Sequence, residues 1–305
     1  MRVFFHRYFR LVILICALLQ GACFVVDAQT RSLPQTFRDW TKGPNLKHAT
    51  VTLAVTSEGK TIYNFDQDRL MIPASVMKLV TTASAIRMLG ADYVLPDSAA
   101  IVDTVHVALP GLEYYNPDWL IEDIDTDYMP PLSDSLPDAG RTLRDVITET
   151  NHESLNLQAE TLARMLHPSC SLDSALTAIS TYWKGEGLDT DCLWMYDGCG
   201  LAPSDRVTAR FMVSLLQKMK DDQDFVKSIP VIGQEGTLKR FLRDTRLAGR
   251  GRLKSGTLKT AVTYAGYITG SDNRQYEICI MVNNYAGKPS EVRRGMEKVL
   301  LSLIP

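Results

Sequence analysis

Alternating and helical hydrophobic patterns take turns along the chain, and their order predicts its architecture. Over residues 49–65, Val51, Leu53 and Val55 point one way, the polar turn Ser57-Glu58-Gly59-Lys60 interrupts, and Ile62, Tyr63 and Phe65 follow. This reads as a β-hairpin. The period then changes. After Pro73, Leu79, Ala83, Ile86 and Leu89 recur at helical spacing, so a helix over 75–89 is expected to open at Ser75 and stop at Gly90. Residues 91–140 lose periodicity: six prolines break them up and acids cluster from Glu122 to Asp127, leaving loops with one short strand at 101–108. From 141 to 220 the stripes Leu143/Val146/Ile147, Leu157/Leu162/Leu166, Leu172/Leu176/Ile179 and Phe211/Leu215/Met219 predict helices, with a glycine-rich turn at Asp197-Gly198-Cys199-Gly200-Leu201. Alternation returns over 251–285, where Tyr264, Gly266 and Ile268 face Tyr276, Ile278, Ile280 and Val282 across the turn Gly270-Ser271-Asp272-Asn273. A helix from Ser290 to Leu303 closes the chain. Strands near both ends and helices between them predict an α/β (α+β) fold, with one antiparallel sheet built from both chain ends, flanked by helices, and a helical subdomain inserted.

The first residues lie outside that pattern. Arg2, Arg7 and Arg10 precede the apolar run Leu11–Leu19, and Val26-Asp27-Ala28 offers small residues for cleavage, so residues 1–28 are expected to be a signal peptide and the protein exported to the periplasm. Lipid modification at Cys23 is the lesser alternative, because Leu19 stands one position too far upstream. The formal net charge of −2, without a basic block, leaves a nucleic-acid partner no electrostatic footprint. Four cysteines, Cys170, Cys192, Cys199 and Cys279, remain beyond the signal; they allow three pairings, between which the sequence does not choose, and Cys170–Cys192 is only a guess, from their flanking one helical segment. No zinc-site spacing and no H-E-x-x-H appear, and the scattered histidines read as surface or packing residues.

Acyl transfer needs an activated hydroxyl, a base beside it and donors for a developing oxyanion. Ser75-Val76-Met77-Lys78 supplies the first two, since helix positions i and i+3 share a face and a lysine withdrawn from water sheds its proton more readily. The spacing alone is a weak signal: a chain of this length holds on the order of one match by chance. Ser57-Glu58-Gly59-Lys60 is such a match, in a hairpin turn where Ser and Gly serve turn geometry. The plain structural alternative for Ser75 is a helix cap. A second element, Ser154-Leu155-Asn156, offers a hydroxyl to relay a proton and an amide to hold a substrate carbonyl. Ser271-Asp272-Asn273 imitates it but reads as turn chemistry. A third, Lys254-Ser255-Gly256-Thr257, is expected just ahead of the terminal strand pair: a cation, two hydroxyls, and a glycine that lets a substrate backbone approach a strand edge. The N–H groups of Ser75 and Thr257 are the candidates for the oxyanion hole. The bland alternative is a basic loop entering a strand.

The three elements occur in the order of the penicillin-recognising signature. With Pro73–Leu79 and Leu89–Tyr93, Asn151–Asn156 and Ala159-Glu160, Asp197–Leu201, and Gly236-Thr237-Leu238 through Leu258, the chain resembles the S13 family of D-alanyl-D-alanine carboxypeptidases/endopeptidases, the class C low-molecular-weight penicillin-binding proteins, over roughly residues 45–93 and 128–305. The resemblance implies a serine β-lactamase/D,D-peptidase-like fold. With the order of strands and helices, one domain, 29–305, is expected to comprise a sheet subdomain (29–95 and 236–305), a reduced insert (96–140) and a helical subdomain (141–235). The resemblance further implies peptidoglycan stem peptides as substrate, β-lactams as covalent inhibitors and no metal or organic cofactor. Ser75 would then be the acylated nucleophile, Lys78 its base and Ser154 a proton relay, with Asn156, Lys254, Ser255, Gly256 and Thr257 binding substrate. Three departures stand out. Ser154 follows Lys78 by only 76 residues, an interval in which many relatives carry large extra domains. Ser255 stands where Thr is usual, and Cys199 where Ser is usual. A β-lactamase and a catalytically degenerate cell-wall-binding protein are the competing readings.

Overall fold

The computed structural model describes residues 32–96 and 140–304. The expected hairpin forms as β1 (Thr50–Ser57) and β2 (Lys60–Phe65). Near the other end of the chain, β5 (Gly251–Leu258), β6 (Ala261–Thr269) and β7 (Gln275–Asn283) follow one another. All five join one antiparallel sheet in the order β2-β1-β7-β6-β5, so the N-terminal hairpin pairs with the last strand. The Lys254–Thr257 segment therefore lies inside a third strand, at the sheet edge, and not ahead of a strand pair. Residues 230–232 pair with the start of β5 at Gly251–Leu253, and the edge beyond it is where an extended peptide can add its own hydrogen bonds.

The sheet divides the core in two. Val51, Leu53 and Val55 of β1, Val262 and Tyr264 of β6, and Ile278, Ile280 and Val282 of β7 bury one face under α1 (Leu33–Thr41) and the C-terminal helix α8 (Pro289–Leu301). The positions between them, Ala54, Ala265, Cys279 and Met281, face the other layer. Period two explains the parity: successive side chains point to opposite faces. Because both faces are covered, the central strands lack the simple polar alternation of a half-exposed sheet. Gly295 marks how closely α1 and α8 cross, since a Cβ there would overlap the Trp40 ring at 1.8 Å.

The second layer is helical. α2 (Met77–Leu89) is its centre, buried at every position from Met77 to Ile86. Around it lie α3 (Leu143–Glu153), α4 (Asn156–Met165), α5 (Leu172–Gly185), α6 (Ala209–Met219) and the short α7 (Gln223–Ser228). A two-stranded ribbon of β3 (Leu193–Trp194) and β4 (Arg206–Val207) carries the glycine-rich turn between its strands. Side-chain caps start three of these helices: Thr142 accepts from the Asp145 N–H, Thr208 from the Phe211 N–H, and Asp222 from the Phe225 N–H. The α2 helix begins two residues later than its apolar spacing suggested. Residues Ala74–Val76 form a 3₁₀ turn first, and Gly90 ends the helix at φ 88°.

The expected Cys170–Cys192 disulfide is corrected: Cys170, Cys192, Cys199 and Cys279 are all free thiols. The Cys192 thiol is engaged otherwise, donating to the Asp189 carbonyl at 2.9 Å and accepting from Thr208 at 3.3 Å, while Cys279 is sealed in the middle of β7. The expected signal segment and the strand at 101–108 lie outside the described residues. Among the described residues no helix is long and apolar enough to cross a membrane.

Candidate active site

Ser75 sits on a turn that the surrounding backbone holds from three sides. Thr263 of β6 donates its hydroxyl to the Pro73 carbonyl at 2.7 Å. The Ala74 carbonyl presses on Gly200, where a Cβ would come within 2.0 Å of it. On the β5 side, a Cβ at Gly256 would lie 2.9 Å from the Ser75 nitrogen and 2.3 Å from Thr263 Oγ1. Ala74 itself takes φ +49°, a left-handed conformation that costs a non-glycine residue on the order of 1 kcal/mol. The packing on all three sides keeps it there.

Lys78, one turn on, is fully buried and collects the site. Its Nζ donates to Ser75 Oγ at 3.1 Å, to Asn156 Oδ1 at 2.6 Å and to the Cys199 carbonyl at 2.8 Å. Those partners come from the α2 turn, the first residue of α4 and the glycine-rich loop. Ser154 occupies the αL position between α3 and α4, at φ 60°, which turns its hydroxyl toward β5. There Lys254 Nζ, also fully buried, donates to Ser154 Oγ at 2.8 Å and to the Ser255 carbonyl at 3.0 Å. Burial first, and the Lys78 cation second, push the Lys254 ammonium well below the ordinary lysine range.

Strand alternation puts Ser255 and Thr257 on the opposite side of β5 from Lys254 and Gly256. Ser255 Oγ meets Thr237 Oγ1 at 3.0 Å, and Thr257 Oγ1 accepts from Arg293 of α8 at 2.8 Å. Thus Ser75, Lys78 and Asn156 form one hydrogen-bonded group, Ser154 and Lys254 a second beside it, and Gly256 abuts Ser75. The two imitations lie elsewhere. Ser57 donates to the Gln275 carbonyl at 2.7 Å in the β1–β2 hairpin, and Ser271 lies in the exposed β6–β7 turn.

Arg293 and the Cys199 carbonyl are site members that the residue pattern does not point to, and Thr237 falls only within a stretch of family likeness. None carries a local signal, because each reaches the site from a distant element by tertiary packing. Among the described residues one group of metal-ligand type converges, Glu160, Asp197 and Cys199, with atoms within 4.8 Å of one another. Three of its carboxylate oxygens already accept from backbone N–H groups: Glu160 Oε1 from Gly198, Asp197 Oδ1 from Cys199 and Gly200, and Asp197 Oδ2 from Ala202.

Against protein-family models, residues 34–97 and 139–303 match the D-Ala-D-Ala carboxypeptidase 3 (S13) family. The chain belongs to that family. The match takes in α1, which the motif-based resemblance left out, and omits the interval in which the chain is short. A D-alanyl-D-alanine carboxypeptidase of Actinomadura sp. (strain R39) is 30% identical over 123 residues; the matched stretch covers 38% of this chain and 23% of that relative. Among solved structures, penicillin binding protein 4 of Haemophilus influenzae, complexed with a β-lactam, superposes with a TM-score of 0.66 at 13% identity, covering 87% of this chain and 98% of that one. A β-lactamase of Chitinophaga pinensis gives a TM-score of 0.61 at 15% identity, covering 88% and 97%. The fold is that of the serine β-lactamases and D,D-peptidases, as the resemblance implied. The near-complete coverage of penicillin binding protein 4 at this depth of divergence is a likeness of fold.

Proposed function

We propose that this chain is a serine-type D-Ala-D-Ala carboxypeptidase/endopeptidase that acts on peptidoglycan stem peptides through an acyl-enzyme on Ser75, and that β-lactams acylate the same serine. The observation that carries the reading is the buried Lys78 amine, 3.1 Å from Ser75 Oγ and held there by Asn156 and the Cys199 carbonyl. A lysine without water around it is a competent base once it has released its proton. Lys78 takes the Ser75 proton as the hydroxyl attacks the carbonyl between the two D-alanines. Oxyanion charge then develops beside the backbone N–H groups of Ser75 and Thr257, which the absence of a side chain at Gly256 keeps within reach of one carbonyl. Ser154, hydrogen-bonded to Lys254, passes a proton to the leaving amine. Asn156 orients the substrate amide. The hydroxyls of Ser255 and Thr257 receive the substrate's terminal carboxylate on their side of β5, and Lys254 supplies positive charge from the other side of the strand. Water completes the cycle by hydrolysing the ester.

The same reading seats the site at the seam of a sheet subdomain (29–95 with 236–305) and a helical subdomain (141–235). It takes residues 1–28 as a signal peptide that delivers the enzyme to the periplasm, where the cell wall lies. No metal enters any step.

Fluorescent-penicillin labelling of the full chain, with peptide mapping of the adduct, tests the reading. Labelling is expected at Ser75, with D-alanine release from a pentapeptide by the wild type and none by Ser75→Ala. Equal release by both would remove it. An adduct that hydrolyses within seconds would favour the β-lactamase alternative; one that lasts hours would count against it.

A further inference from the structure

Beneath the Ser75 turn lies a group of acids that the mechanism above does not use. Glu160 is 7% exposed and Asp205 0%, and Asp197 stands between them. Asp197 Oδ1 accepts from the N–H groups of Cys199 at 3.0 Å and Gly200 at 2.5 Å, and its Oδ2 from Ala202 at 2.6 Å. Glu160 Oε1 accepts from the Gly198 N–H at 2.7 Å, and the Gly198 carbonyl accepts from Thr81 Oγ1 of α2 at 2.6 Å. These bonds fix residues 197–202, the loop whose Cys199 carbonyl meets Lys78.

Asp205 differs from the other two. Its Oδ1 accepts from the Tyr196 N–H at 2.7 Å, but its Oδ2 meets no N–H or O–H donor although it is fully buried. What it lies against is the Asp197 carboxylate. Two carboxylates in contact and out of water repel each other unless a proton lies between them. With that proton, Asp205 Oδ2 becomes the donor and no polar atom of the pair is left over.

We propose that Asp205 is a neutral acid sharing its proton with Asp197, and that this pair together with Glu160 is the positioning device that holds the Cys199 carbonyl against Lys78. The groups around it agree. Glu160 and Asp197 both face Asp205; Arg164 of α4 and the Cys199 thiol face Glu160; the Arg206 guanidinium turns away to the carbonyls of Pro203 and Asp205. Burial first and the Asp197 charge second push Asp205 up to about 10, and the same two causes push Glu160 up to about 7. The positioning role rests on the acyl-enzyme reading of the site; the shared proton does not.

Asp205→Asn tests it, because an asparagine places an N–H where the acid has its O–H and keeps an oxygen for Tyr196. The rate of fluorescent-penicillin labelling of Asp205→Asn is expected within about 3-fold of wild type, while Asp205→Ala and Asp197→Asn slow it by about 30-fold, the worth of one or two buried hydrogen bonds. The second readout needs no activity. A raised carboxyl makes the native state bind more protons than the unfolded chain, so the Asp205 contribution to stability falls as pH rises from about 5 to about 9, and Asp205→Asn removes it, which makes the slope of Tm against pH more positive than in the wild type. Labelling of Asp205→Asn as slow as that of Asp205→Ala, an unaltered slope of Tm against pH, or a stoichiometric metal ion in the purified wild type that Asp197→Asn loses would each overturn the proposal. A wild type that is not labelled at Ser75, with the difference in slope intact, would remove the catalytic reading and leave the shared proton. A labelled wild type with any overturning result would do the reverse.

Discussion

The chain holds two Ser-x-x-Lys sequences, and the structure treats them oppositely. At 57 and 60 the serine ends β1 and the lysine starts β2, paired across the hairpin; the hydroxyl is turned to the Gln275 carbonyl and the lysine is exposed. At 75 and 78 a 3₁₀ turn runs into a helix, and the lysine beneath it is sealed from water with three acceptors around its nitrogen. Both arrangements bring the two residues near each other in the chain. What separates them is the surroundings: acid–base chemistry by lysine needs a cation withdrawn from solvent, and solvation is a property of the packed site, not of spacing.

That contrast can be broken most sharply at the serines. Ser75→Ala should abolish penicillin labelling, a loss of at least about 1,000-fold, and Ser57→Ala should leave it unchanged. Labelling that survives at 75 and dies at 57 would invert the assignment. Lys78→Ala should slow acylation by about 100- to 10,000-fold, the range of a lost general base, whereas Lys60→Ala should not alter the rate.

Gly256→Ala comes next. Its methyl would meet Thr263 Oγ1 at 2.3 Å and the Ser75 nitrogen at 2.9 Å, so we expect labelling to slow by about 100-fold and stability to fall by about 1–3 kcal/mol, measured by chemical denaturation. Lys254→Met separates function from stability. The buried ammonium lies beside the Lys78 cation, so the native state binds fewer protons here than the unfolded chain does, and this lysine's own contribution to stability becomes less unfavourable as pH rises toward 10.5. The variant should therefore have a higher Tm than wild type near neutrality, an advantage that shrinks as the buffer becomes more alkaline, while its labelling slows by about 100-fold. The smallest effect is expected at the other imitation: Ser271→Ala, in an exposed turn, should move Tm by no more than about 1 °C and labelling not at all.

Much of the architecture is visible in the pattern. The β1–β2 and β6–β7 hairpins, the α2 helix with its Gly90 stop, the stripes of α3 to α6 and the closing helix all follow from period and punctuation. Elements with little periodic signal escaped: α1 has room for only two buried anchors, Leu33 and Phe37, and the β3–β4 ribbon has two residues per strand. β5 was blurred because its glycine and charged residues depart from strand composition, and they do so because this edge faces a site. The Cys170–Cys192 expectation failed for a related reason, since chain proximity says nothing about where a thiol points.

By itself the sequence determined which chemistry the chain carries: a serine and lysine spaced for one helical face, a Ser-x-Asn, a Lys-Ser-Gly-Thr, and a pattern that builds one sheet from both ends. Only the tertiary structure decided that these parts meet. It brought Asn156 to Lys78 across 78 residues and Lys254 to Ser154 across 100, turned β5 into the open edge beside Ser75, and set a loop carbonyl against the lysine. The physical reason is that residue types and periods are local properties, whereas burial of a charge, approach of two backbones and sharing of a proton between acids exist only when distant segments exclude water together.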